Sequence, residues 1–303
     1  MKERPYRKHP LTKKLFSLAD VYVSLFGAKR VQKGIRMHSV VFDNERGLDA
    51  DLFFPAGEGP YPVFVNVHGG GFVAGDKKYR RKFCSQIAGL GYFVMNVNYT
   101  TCDVEPYPAF LRDCLNAVSY LVARKEELNL DLDRLVVGGD SAGGYISHAL
   151  GVAMENPHYF DALGLVVPDV VPRAVVSLCG LYSLQLSMTQ KMPFDANKII
   201  ASYVLGQEST IEWTDKTKLK GEYLDLLPVM SAKFPECFVS ESLVDPLCKG
   251  HAGLLVQKLK ALDIPYTHVV APASMHCWHL TPGRRTRELM AKLSDFLIKV
   301  KAK

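Results

Sequence analysis

Eight short apolar runs alternate with helix-sized amphipathic stretches along most of the 303 residues, and that alternation leaves few folds open. The runs cover 38–43, 49–54, 62–67, 92–98, 134–139, 173–179, 236–241 and 266–271. The later ones are continuously apolar, as strands are when both faces of their sheet are covered. Between the runs, 79–90, 108–128, 143–155, 250–262 and 284–301 have the length and periodicity of helices. Strands joined through helices run parallel, so the pattern predicts an α/β chain with a mostly parallel sheet flanked by helices.

The stretch 181–232 breaks this rhythm. It is too long for a simple connection, and within it DANKIIASYVLG (195–206) reads as a helix. Together with an N-terminal arm, 1–36, it is expected to form a helical cap in two segments over one catalytic domain made of 37–180 and 233–303.

Charge singles out the same arm. Residues 1–36 hold ten Lys/Arg against Glu3 and Asp20, a balance of +8 that leaves −2 for the rest of a chain of net charge +6. A body at −2 argues against nucleic-acid binding, which needs a basic face with interleaved aromatics. In the arm, Leu11, Leu15, Leu18, Tyr22 and Leu25 recur at helical spacing, with Asp20 interrupting an otherwise apolar stretch. This reads as an amphipathic helix with a basic face, packed on the body and solvated outside; weak contact with anionic lipid is the lesser alternative. No apolar run approaches the ~20 residues that span a bilayer. Seven scattered cysteines without a C-x-x-C fit reduced thiols and a cytoplasmic location.

The chemistry concentrates in a few loops. Gly139-Asp140-Ser141-Ala142-Gly143 is a G-x-S-x-G placed after a strand and before a helix. In that context the glycines permit a sharp turn that lifts the serine clear of the sheet. His68-Gly69-Gly70-Gly71-Phe72 also follows a strand, and its glycines leave backbone amides open to an approaching oxyanion. A phosphate loop is excluded because no G-x-x-x-x-G-K-[ST] occurs. A serine nucleophile needs a base and an orienting acid. Asp245, in SLVDPL, and His276, in ASMHCWH, each follow a strand in the required order, with His279 as the competing base. Asp140 and Asp113 are read as structural hydrogen-bonding residues near the turn. A Cys277/His276/His279 metal cluster lacks a further ligand with suitable spacing, so no metal is expected.

HGGGF some seventy residues before GDSAGG, followed by DPL and later MH, resembles the hormone-sensitive-lipase-like branch of the α/β-hydrolases over roughly 38–300. The resemblance implies an α/β-hydrolase fold with a helical cap, Ser141 as nucleophile, His276 as base and Asp245 as its acid. It also implies an oxyanion hole from the amides of Gly69, Gly70 and Ala142, no cofactor, and short- to medium-chain esters as small-molecule substrates. The same analogy alone admits a homodimer. Two further readings stay open. An amidase or deacetylase could use the same triad, and a non-catalytic ligand-binding protein on this scaffold would lack the histidine that is present here. One loop departs from the family pattern: where members read close to Y-R-L-A-P-E-H-P-F-P-A, this chain has Y-T-T-C-D-V-E-P-Y-P-A at 99–109, so the polar contacts of that loop must be rebuilt. From adjacency to the motifs, Phe72, Tyr145, Leu181, Tyr182 and Leu247, with Tyr203 of the cap, are candidates to line the substrate pocket.

Overall fold

A computed structural model describes residues 10–183, 186–187, 196–206 and 224–303. Residues 1–9 of the basic arm and 184–185, 188–195 and 207–223 of the expected second cap segment lie outside the described residues.

All eight expected strands form, as one sheet: β1 (Arg36–Asp43), β2 (Leu48–Phe54), β3 (Tyr61–Val67), β4 (Phe93–Val97), β5 (Leu130–Asp140), β6 (Ala174–Leu178), β7 (Glu236–Ser242) and β8 (Tyr266–Ala271), in the order β1-β2-β4-β3-β5-β6-β7-β8. β1 pairs with β2, and β2 with β4, antiparallel; every other pair is parallel. β5 starts four residues earlier than its apolar run, because Leu130 and Asp131 already pair with Tyr61 and Pro62 across a register shift.

Among the described residues the longer α-helices are α1 (Pro10–Ser24), α2 (Arg81–Ala88), α3 (Ala109–Ala123), α4 (Ala142–Glu155), α5 (Ala196–Leu205), α6 (His251–Ala261) and α7 (Arg284–Ala302). α3, α4 and α6 bury Phe110, Ile146 and Leu255 in a core on one face of the sheet. α2 and α7 bury Ile87 and Leu293 in a second core on the other. Covering both faces removes the continuously apolar strands from water, which is the dominant stabilising term in such a domain.

Register aligns the ends of the strands. Val67 of β3 lies opposite Gly139 of β5, and Leu178 of β6 opposite Asp140. Ser242 of β7 lies opposite Ala271 of β8. The loops that carry His68–Gly71, Ser141, Asp245 and His276 therefore all leave the carboxyl edge of one sheet, where open α/β folds gather their ligand sites.

α1 does form, but the arrangement of its faces overturns the expected one. Asp20 and Val23 are buried, whereas Leu18, Val21, Tyr22 and Leu25 are exposed. The side chains of Leu11 and Leu15 lie outside the described residues. The acid turns inward because a buried arginine waits for it there, as the geometry of the site shows.

Candidate active site

The turn at Ser141 is tight enough to require its glycines. Ser141 sits at φ 53° and ψ −119° immediately before α4, a conformation that non-glycine residues rarely adopt and that concentrates at functional sites. Its N–H donates to Leu178 O at 2.9 Å. A Cβ at Gly143 would lie 2.1 Å from Val67 O, and one at Gly139 2.4 Å from the same atom. Strand β3 thus packs directly on the turn.

The glycine loop presses on the same place from the other side. A Cβ at Gly69 would lie 2.5 Å from Asp140 Oδ2 and 3.0 Å from Ser141 Cβ. Gly70 takes φ 135° and Gly71 φ 61°, and Gly70 O accepts hydrogen bonds from the N–H groups of Val73 and Ala74 at 3.2 and 3.0 Å. His68 shapes this loop: its Nδ1–H donates to Gly69 O at 2.8 Å and its ring stacks on Tyr99 at 4.4 Å between centroids. Burial pushes its imidazole down to about 4, so the ring is neutral.

His276 and Asp245 meet across the β7 and β8 loops, with Nδ1 2.7 Å from Asp245 Oδ2. The other carboxylate oxygen accepts the N–H groups of Leu247 and Cys248 at 2.8 and 3.1 Å. Burial works against the Asp245 carboxylate, yet His276 and the two amides hold it below the ordinary value. Burial likewise works against the His276 imidazolium, but the surroundings of Cys277, Cys248 and Asp245 together leave it above the ordinary histidine value. The neighbouring Cys248 thiol is pushed up by burial to about 11 and is uncharged at neutral pH. Nε2 of His276 is buried and makes no hydrogen bond to Ser141 Oγ. Such bonds are often long without substrate and tighten when it binds. His279, the competing base, packs edge-on to Phe83 and is pushed down by burial to about 4.

Arg80 joins three elements that sequence reasoning did not connect. Its guanidinium donates to Asp140 Oδ1 and Oδ2 at 2.9 and 2.7 Å and to Asp20 Oδ1 of α1 at 2.6 Å. Burial works against the Asp140 carboxylate, but Arg80 outweighs it and holds the group well below the usual range. At Asp20 burial wins, and the carboxyl is raised. Asp113, in contrast, is not at the turn. Its Oδ2 accepts the N–H of Thr100 at 2.8 Å, while Arg46 lies 3.1 Å from Oδ1. Glu105 is held by Arg46 and by two hydrogen bonds from Arg112 at 2.9 and 3.1 Å. These residues rebuild the divergent 99–109 loop.

Ser141, His276, Gly70 and Leu247 all face a cavity of about 780 Å³. Its apolar wall comes from Phe16 and Tyr22 of α1 and from Met275, Trp278 and Leu280 after His276. Of the residues selected by adjacency, Leu247 lines this cavity. Phe72, Tyr145, Leu181, Tyr182 and Tyr203 are buried in the core instead. Phe72 packs on Phe110 at 5.1 Å, and Tyr145 Oη donates to Leu224 O at 2.8 Å. Gly69 and Ala142 are buried and do not belong to this lining. Among the described residues, the side chains of metal-ligating type that do converge are Cys179, Asp245 and His276, whose ligand atoms lie within 4.8 Å of one another. Among the described residues no helix is long and apolar enough to cross a membrane.

Comparison with known proteins adds five findings. A family model described as alpha/beta hydrolase fold matches residues 64–280. A probable carboxylic ester hydrolase of Mycobacterium tuberculosis, LipM, is 24% identical over 249 residues, 80% of this chain and 56% of that protein. An acetyl esterase of Salmonella schwarzengrund is 23% identical over 224 residues, 71% of this chain and 65% of that protein. The chain thus spans little more than half the length of LipM. The crystal structure of esterase B from Lactobacillus rhamnosis superposes with a TM-score of 0.79 at 18% identity, covering 96% of this chain and 95% of that one. EstE1, a thermostable carboxylesterase cloned from a metagenomic library, gives 0.76 at 19% identity, covering 95% and 97%.

Proposed function

The chain belongs to the alpha/beta hydrolase fold family, and from that premise we propose that it hydrolyses carboxylic esters through an acyl-enzyme formed on Ser141. One observation carries the reading. His276, hydrogen-bonded to Asp245 at 2.7 Å, and Ser141, held in a strained turn at the start of α4, open into the same apolar cavity.

In the reaction, Ser141 Oγ attacks the ester carbonyl carbon and its proton passes to His276 Nε2. The Asp245 carboxylate keeps Nδ1 protonated and stabilises the imidazolium that forms. The amides of Gly69, Gly70 and Ala142 receive the oxyanion, an interaction worth about 3 kcal/mol for a single donor in comparable sites. Collapse breaks the bond to the alcohol, which leaves with the proton from Nε2. Water then attacks the acyl carbonyl carbon and gives a proton to His276, and the bond to Ser141 Oγ breaks as that oxygen takes the proton from Nε2 and the acid leaves. No step calls on a cofactor.

Short- to medium-chain esters suit a cavity of about 780 Å³, within the range of small-ligand pockets. Residues 1–36 and 181–232 act as the cap. Support comes from Phe16 and Tyr22 of α1 in the cavity wall and from Val204 O of α5, which accepts the N–H of Tyr107 at 2.9 Å.

The test is hydrolysis of p-nitrophenyl esters from acetate to palmitate by the wild-type protein and by Ser141→Ala. Activity that peaks at short or medium acyl length and disappears in the variant is expected. Folded wild-type protein inactive on every ester, but active on matched amides, would overturn the ester reading.

A further inference from the structure

α1 carries its amphipathicity the wrong way round for a helix that merely packs on a domain. Leu18, Val21 and Tyr22 of α1 follow the i, i+3, i+4 spacing of one helical face and Leu25 continues the stripe in the turn after the helix; they are 55%, 52%, 55% and 75% exposed. The one acid of the helix, Asp20, is instead 7% exposed and clamped by Arg80. An apolar stripe turned to water while an acid is buried is costly, and large exposed apolar patches mark interaction sites.

The stripe adjoins the mouth of the cavity. Tyr22 belongs to both the stripe and the cavity wall, and Met275, beside His276, is 74% exposed in that same wall. The surroundings are cationic. Lys14 lies one turn before Leu18 and is exposed, as are Lys29, Arg30, Arg285 and Arg287. Among the described residues none of these five is paired with a carboxylate. Arg284 and Arg285 stand at the rim of the cavity itself.

We propose that this face of α1, with Met275 and the surrounding cations, is a docking surface for an anionic lipid layer. The helix lies in the plane of the interface, Leu18, Val21 and Leu25 enter the acyl boundary, and the cations meet acidic headgroups. The Asp20–Arg80–Asp140 bridge fixes this helix to the turn that carries Ser141, so docking brings the cavity mouth to the layer. Charge complementarity selects the lipid layer over a second copy of the chain, whose identical cationic rim would meet its own. Only what the surface delivers rests on the hydrolase reading.

The test is co-sedimentation of the full chain with phosphatidylcholine vesicles with and without phosphatidylserine, at low and high salt. It uses the wild type, Ser141→Ala, Leu18→Ser/Leu25→Ser and Lys14→Glu/Arg30→Glu. Wild type and Ser141→Ala should bind the anionic vesicles equally, with at least ten-fold weaker binding at high salt. Both double variants should lose at least ten-fold in binding while hydrolysing soluble p-nitrophenyl acetate like the wild type. Because Ser141→Ala is inactive by design, binding is read independently of the hydrolase reading. Equal binding to neutral vesicles, or no binding to either, would overturn the proposal. So would a dimer in sedimentation velocity that Leu18→Ser/Leu25→Ser dissociates without any vesicle binding, since the stripe would then be a self-association surface.

Discussion

Arg80 holds Asp140, the residue immediately before Ser141, in a two-pronged pair at 2.9 and 2.7 Å, with both side chains buried. Its remaining reach goes to Asp20 of α1 at 2.6 Å. One guanidinium therefore connects the turn of Ser141 to the helix that walls the cavity. An arginine suits this place because its planar fork satisfies two carboxylates at once, which a lysine cannot do.

Removing that cation leaves two buried carboxylates without their partner. Arg80→Met is expected to cost on the order of 3–5 kcal/mol, the usual penalty for breaking a buried pair from one side. Arg80→Lys should recover only part of it. Urea unfolding of both variants checks this, and a loss below about 1 kcal/mol for Arg80→Met would show that the network contributes little.

None of this network is visible along the chain. Asp20 and Arg80, like Arg80 and Asp140, are sixty positions apart, and no local pattern announces such a partner. For that reason the periodicity of α1 shows an amphipathic helix but not which side turns inward. The strands were legible because apolar runs of strand length, broken by turns, state themselves locally. The turn at Ser141 and the glycine loop were legible because close backbone approach demands glycine at particular positions. The cavity wall was not: Phe16, Met275 and Trp278 reach it through tertiary packing, while Phe72 and Tyr145, beside the motifs, are spent on the core.

Acid should unfold this protein early. Burial holds His68, His251 and His279 down to about 4 and His148 to about 3. In the unfolded chain the same groups titrate near ~6.5. Between the two values the unfolded state binds more protons, so stability falls as pH falls from about 6.5. Each histidine adds a slope of up to roughly 1 kcal/mol per pH unit in that window. The urea midpoint should drop steeply between pH 7 and 5, and a flat midpoint would mean that these rings are protonated in the folded state.

His276, the base of the proposed reaction, titrates in the opposite sense. In that reaction His276 is neutral when it accepts the proton of Ser141, and its environment raises it above the ordinary value. Activity on esters should therefore rise with pH along a limb that lies above ~6.5. Asp245→Asn removes the carboxylate that favours the imidazolium. That variant should retain only about 10⁻⁴ of kcat, with its limb moved to lower pH. A limb unmoved by the substitution would assign it to another group.

Gly143→Ala tests whether the close approach at the turn matters to chemistry as well as to fold. The added methyl would lie 2.1 Å from Val67 O, and that atom is backbone of a central strand and cannot rotate away. The turn or β3 must shift by more than half an ångström, and misplacement of that order can cost ~10²-fold in rate. Gly164→Ala is the matching control. It also replaces a glycine, at φ 65°, but no atom lies within 4 Å of the new methyl. The control should lose about 1 kcal/mol of stability through backbone strain alone and keep its kcat. The turn variant should lose at least ten-fold in kcat. Equal kcat in the two variants would show that the turn tolerates displacement and that the tight packing of Val67 serves only the fold.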